Sequence, residues 1–189
     1  MKKTHYAIIL TILAAAGAAG TALWLTNRHG SKARAQLLGE KFHDPQLHLT
    51  YYPPFQWRPV APAAELQKHF SGDQKRLIAH FEGPNPGDQA DLVIIKAPDR
   101  LRQLREQVLA QKDPKGKTKV IVDEFRHVNT VPAWVYEYMT RQNMFIIHTI
   151  YVVLDRGDRK LVLSYTGSPK SLESQRHAVF ESLQSIRLE

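Results

Sequence analysis

Histidines and carboxylates are the side chains of this 189-residue chain with the most chemistry to offer, since it has no cysteine. Disulfides, thiolate-bound zinc, iron–sulfur clusters and a thiol nucleophile are thereby excluded. His43, Asp44 and His48 form the tightest grouping of metal-type ligands. Neither an HExxH nor a His-x-His spacing accompanies them, and solvated side chains explain the grouping as well. His80, His127 and His148 fall in strand-like runs. Each is expected as a hydrogen-bonded histidine of the core or edge, the alternative being a three-histidine site assembled across strands. Glu124 and Glu137 lie on consecutive runs, where they would face one another as an acid–base pair or stand as surface charges. Ser164 and Ser168 lack the glycine-flanked elbow of a hydrolase nucleophile. No Walker loop or dinucleotide glycine pattern occurs, and Arg156-Gly157-Asp158 reads as a turn chosen for its backbone. These residues imply no enzyme, no cofactor and no resident metal.

Binding is the better prospect. The chain carries 26 Lys and Arg against 18 Asp and Glu, a formal charge of +8. The cations gather in three places. Arg28, Lys32 and Arg34 would meet lipid headgroups. Arg100, Arg102 and Arg105 share one helix, and Lys112, Lys115, Lys117 and Lys119 form a loop; both would face an acidic partner or an anionic membrane. Aromatic residues do not interleave with them, so nucleic acid is not an expected partner. Trp134, Tyr136 and Tyr138 alternate along one face of a strand. Exposed, such a row is a docking patch; covered by a helix, it is core. The docking candidates are therefore Trp134, Tyr136, Tyr138 and the four loop lysines.

Residues 7–25 run without a charge behind Lys2 and Lys3. As a helix they would span about 28 Å, close to the hydrocarbon core of a bilayer. Small residues at 14–20 offer signal-peptide cleavage sites, but the apolar run continues past them to Trp24 and Leu25. The expected organisation is a transmembrane anchor, or uncleaved signal, over 1–27, a juxtamembrane stalk over 28–44 and a globular domain over 45–189. Both flanks of the run are positive, so charge does not settle orientation. A short Lys-Lys start before a first apolar segment is the usual export signal. The expected arrangement has the N-terminus in the cytoplasm and the domain outside it, on the periplasmic side of a bacterial inner membrane.

Within the domain, strands are expected at 46–52, 76–81 and 90–96, with a short helix near 63–70 between the first two. Asp99 caps a helix from residue 100, with Leu101, Leu104, Val108 and Leu109 as its apolar stripe. Four extended runs follow, at 120–128, 133–141, 144–154 and 160–166, with hairpin-like spacing. Ser168-Pro169 starts a last helix that buries Leu172, Val179, Phe180, Leu183 and Ile186. The run 144–154 is apolar on both faces and needs cover on both. The expected fold class is α+β, an antiparallel sheet between helices in an α/β/α sandwich.

This order of elements resembles the PsbP-like superfamily, which includes PsbP, DcrB-type envelope proteins and the Eag chaperones of type VI secretion. The resemblance rests on the opening strand that runs into Tyr51-Tyr52-Pro53-Pro54-Phe55-Gln56-Trp57 and on the turn Val131-Pro132-Ala133. It extends to the late strand 161–166 and the terminal helix ending at 183–188. It implies a non-enzymatic binding or assembly module, and no functional residue transfers with it. The expected function is a single-pass accessory or assembly subunit, or chaperone-like adaptor, of a membrane protein complex. The alternative is an envelope protein that binds a small ligand or metal.

Overall fold

Alternation of apolar side chains along four consecutive hairpin strands builds the centre of the molecule. The computed structural model describes residues 37–112 and 118–188. Residues 38–189 make one compact unit. Its elements are β1 (Phe42–Asp44), β2 (Leu49–Tyr51), β3 (Arg58–Val60), α1 (Ala64–His69), β4 (Ser71–Gly72), β5 (Lys75–Glu82) and β6 (Gln89–Lys96). There follow α2 (Leu101–Lys112), β7 (Thr118–Val128), β8 (Val131–Gln142), β9 (Phe145–Arg156), β10 (Arg159–Gly167), α3 (Pro169–Gln184) and β11 (Arg187–Leu188). The large sheet is antiparallel in the order β3-β5-β6-β10-β9-β8-β7, with β4 added beside β5. The short strands β1, β2 and β11 form a second sheet.

The turns β7–β8, β8–β9 and β9–β10 need left-handed backbone, and Asn129, Asn143 and Gly157 supply it at φ of 54°, 54° and 73°. With register pinned in this way, alternate residues of each strand face opposite layers. Ala133, Val135, Ile150, Val152, Leu154, Leu161 and Leu163 face α3 and the small sheet, where they meet Leu172, Val179, Leu183, Leu49 and Tyr51. Trp134, Tyr136, Tyr138, Val153 and Val162 face α2, where they meet Leu101 and Leu104. Each buried Val, Leu or Ile among them contributes roughly 1.5–3 kcal/mol.

Helices thus cover both faces, although on one face α3 shares the task with the three-stranded sheet. That sheet includes β1, which lies within the stretch expected as a stalk. The α3 helix starts as expected: Pro169 follows the cap, and Ser168 Oγ accepts the Ser171 N–H at 3.2 Å. Among the described residues no helix is long and apolar enough to cross a membrane. Residues 7–25 and the membrane-surface candidates Arg28, Lys32 and Arg34 lie outside the described residues.

Candidate functional site

Glu137 is the residue that strand alternation alone would make apolar. It sits on the α3 face of β8 between Val135 and Met139 and is fully buried. On the neighbouring strand β9, His148 is buried as well. An ionised carboxylate only accepts hydrogen bonds, so His148 Nε2 donates to Glu137 Oε1, at 3.0 Å. From α3, Arg176 adds a fork: Nε donates to Oε1 at 3.1 Å and Nη2 to Oε2 at 2.8 Å. Burial by itself would raise the Glu137 pKa. The hydrogen bonds and charges of His148 and Arg176 outweigh it and hold the carboxyl at about 2. Neither the facing pair with Glu124 nor two surface charges is found: Glu124 is exposed, whereas Glu137 is buried. Glu124 lies opposite Val135, and its own contact is Arg126 at 3.4 Å.

Glu137, His148 and exposed Glu173 bring their ligand atoms within 4.8 Å of one another, a spacing open to a metal ion. The surroundings fit one poorly. Arg176 already places a cation on Glu137. A metal on His148 Nε2 would also shift the ring proton to Nδ1, a buried atom without a hydrogen-bond partner. The three-histidine alternative fails on topology: His80, His127 and His148 stand on β5, β7 and β9, which are not adjacent in the sheet. His80 instead pairs with Asp91 at 2.7 Å. At the N-terminal grouping, Asp44 Oδ1 accepts the Leu47 N–H at 3.0 Å and closes a turn. His48 follows there in left-handed backbone at φ 48°.

A second polar cluster ties the loop after β5 to α3. Asp88 Oδ2 accepts from Asn85 Nδ2 at 2.9 Å, Ser171 Oγ at 2.5 Å and Gln175 Nε2 at 3.2 Å. Trp57 Nε1 completes it by donating to Gln175 Oε1 at 2.5 Å. These bonds are internal, and Asp88 Oδ1 is left buried with no hydrogen-bond partner among the described residues. An open cleft of about 740 Å³ lies at the other end of β6, where Asp73, Lys75, Arg76, Asp158 and Arg159 line it with charges of both signs.

The expected docking row is not on the surface. Trp134 and Tyr136 are 0% and 1% exposed, and Tyr138 is buried too. The physical reason is α2, which lays Leu101 and Leu104 over the row. Asp123 fastens it by accepting from Arg105 Nε at 2.8 Å and Trp134 Nε1 at 2.9 Å. These hydrogen bonds hold the Asp123 pKa below the usual carboxylate value, against the upward effect of burial. Of the loop lysines, Lys119 is exposed at the start of β7, Lys115 and Lys117 lie outside the described residues, and the Lys112 side chain is not described.

What the surface offers instead is apolar side chains at one edge and one end of the large sheet. Val120, Ile121 and Phe125 are 50%, 41% and 45% exposed on β7, the outermost strand. Met144, Phe145 and Ile146 are 88%, 71% and 49% exposed where β8 turns into β9. The sequence reading placed the latter three in a strand covered on both sides. The mismatch in strand length was the available signal, since β9 has 12 residues and its neighbour β10 has 9.

No sequence-family model and no curated protein matches this chain. Solved structures do. The PsbP of the cyanobacterium Synechocystis sp. PCC 6803 superposes with a TM-score of 0.60 at 11% identity, over 82% of this chain and 94% of that one. LpqN of Mycobacterium tuberculosis, described as involved in cell envelope biogenesis, gives 0.55 at 9% identity over 79% and 89%. PA94 of Pseudomonas aeruginosa gives 0.50 at 13% identity over 79% and 96%. At these identities the likeness is one of fold, and the fold is PsbP-like, as the order of elements in the sequence implied.

Proposed function

We propose that this PsbP-like chain is a non-enzymatic accessory or adaptor module that docks a protein partner on the open edge of its large sheet. Residues 7–25 hold it at a membrane, with the N-terminus in the cytoplasm and the domain on the periplasmic side. The observation that carries the reading is β7. This 11-residue strand pairs with β8 on one side and with no described strand on the other. From Lys119 to Val128 its outer edge meets no described strand and suits an added one, to which Val120, Ile121 and Phe125 give apolar contacts. The exposed charges Lys119 and Glu124 restrict which partner fits. The buried ionic groups are engaged internally, which supports binding over catalysis. Confinement to the membrane raises the effective concentration of a partner embedded in it. LpqN, of similar fold, is described as involved in cell envelope biogenesis, in keeping with a role at the envelope.

A photo-crosslinking amino acid at Ile121, in the full chain in its native membranes, tests the reading. One adduct with a membrane protein is expected, and none from the same group at exposed Glu65 on α1. No adduct at Ile121, or the same adducts from both positions, would overturn it.

A further inference from the structure

The β8–β9 hairpin reaches beyond both of its neighbours. Pairing between β9 and β10 begins at His148, and pairing between β7 and β8 stops at Thr118 and Thr140. Beyond these limits the pairs Arg141–Ile146 and Gln142–Phe145 have no described strand on either side. The overhang of β9 is about 10 Å at the usual rise per residue. Phe145 and Ile146 are adjacent in the strand and face opposite sides of the hairpin, and Met144 stands at the tip. The β9 side of the protrusion therefore puts an apolar side chain on each face, while its β8 side carries Thr140, Arg141 and Gln142.

We infer that this tip enters the interfacial layer of an anionic bilayer, with Met144, Phe145 and Ile146 among the lipid chains and Arg141 and Lys119 at the phosphates. Three observations favour lipid over a protein surface. A protein partner covers one side of a hairpin, whereas a bilayer surrounds a tip that is apolar on both sides. The length of the overhang matches the 5–10 Å depth of interfacial elements. The charge has the right sign: residues 118–122 and 139–147 contain Lys119 and Arg141, both exposed, and no carboxylate. The nearest carboxylates along the strands, Asp123 and Glu137, are neutralised by Arg105 and Arg176. With the tip in lipid, β7 rises from the membrane surface and presents its edge sideways to a neighbour. The inference uses the membrane residence proposed above but not the docking edge.

The chain has no cysteine, so a single introduced one is unique. Met144→Cys and Glu65→Cys are made in the full chain, labelled with an environment-sensitive fluorophore and reconstituted into vesicles. The vesicles contain phosphatidylcholine alone or mixed with phosphatidylglycerol. At 88% exposure Met144 contributes little to packing, so the variant keeps the fold. The expected result in mixed vesicles is a blue shift, several-fold weaker quenching by acrylamide, and quenching by brominated lipid at position 144, with none of these at 65. Adding Lys119→Ser and Arg141→Ser should weaken the effect in the anionic vesicles. A chain that fails to float with vesicles overturns both the anchor and the tip. A chain that floats with position 144 as wet as position 65 overturns the tip and leaves the anchor. Protection that appears in native membranes but not in protein-free vesicles overturns it in favour of a protein partner.

Discussion

Replacing Arg176 with Met removes the fork from Glu137 and keeps an unbranched chain against Phe180, whose ring centroid lies 5.0 Å from the guanidinium carbon. In the native state the Glu137 carboxyl is held at about 2, against an ordinary value of 4.5. That difference corresponds to about 3 kcal/mol of stability at neutral pH. The folded value is the depressed one, so this stability is fully present above pH 4.5 and disappears as the pH falls through 2. The Arg176 side chain is 38% exposed, so solvent screens its share. His148 keeps the rest, and about 2 kcal/mol is the expected loss in the variant at pH 7. Urea unfolding of the purified full chain, followed by tryptophan fluorescence, measures it. The gap between the two proteins should be widest near neutrality and should narrow between pH 4.5 and pH 2. Glu137→Gln should remove the difference in pH dependence between the two backgrounds in that window. Parallel pH profiles for wild type and Arg176→Met would refute the assignment of Arg176 as the group that keeps Glu137 ionised.

Three further outcomes follow from the same contacts. Trp134→Ala should cost about 3–5 kcal/mol by thermal or urea unfolding, because it opens a void under α2 and takes an N–H from Asp123; unchanged stability would mean that the row is not core. Gly83→Ala should lower the melting temperature by the equivalent of about 1–3 kcal/mol, since an added Cβ would lie 2.6 Å from Asp88 Cβ and 3.1 Å from the Trp57 ring. Native mass spectrometry with added zinc should show no one-to-one adduct of the wild-type chain, and a stable adduct would contradict the reading that Arg176 occupies the place of a cation.

The four hairpin strands were legible because alternation and turn residues are local signals, and α3 because Ser168 and Pro169 mark its start. The short strands β1 and β11 were not. Each pairs over two or three residues with β2, and no period shows in so few positions. Whether Trp134, Tyr136 and Tyr138 were core or surface was undecidable from their strand, since alternation is identical in both cases. The answer lies in Leu101, Leu104 and Arg105, on a helix that the sequence showed without showing which face it covers. Glu137 was visible as a charge in an apolar run, yet its partner Arg176 is 39 positions away on α3. The local candidate, Glu124, was the wrong one. The grouping of His43, Asp44 and His48 has a backbone explanation, a closed turn, that a search for ligands does not reveal.

Purification of the tagged full chain from its native membranes in mild detergent, with mass spectrometry of what accompanies it, tests the central claim most directly. The same purification is run for a variant carrying Ile121→Asp and Phe125→Asp. The account predicts a stoichiometric membrane protein with the wild type and its loss from a variant that keeps its circular dichroism spectrum. A wild-type chain that purifies alone and monodisperse, or a partner retained by the folded variant, would contradict docking through the β7 edge.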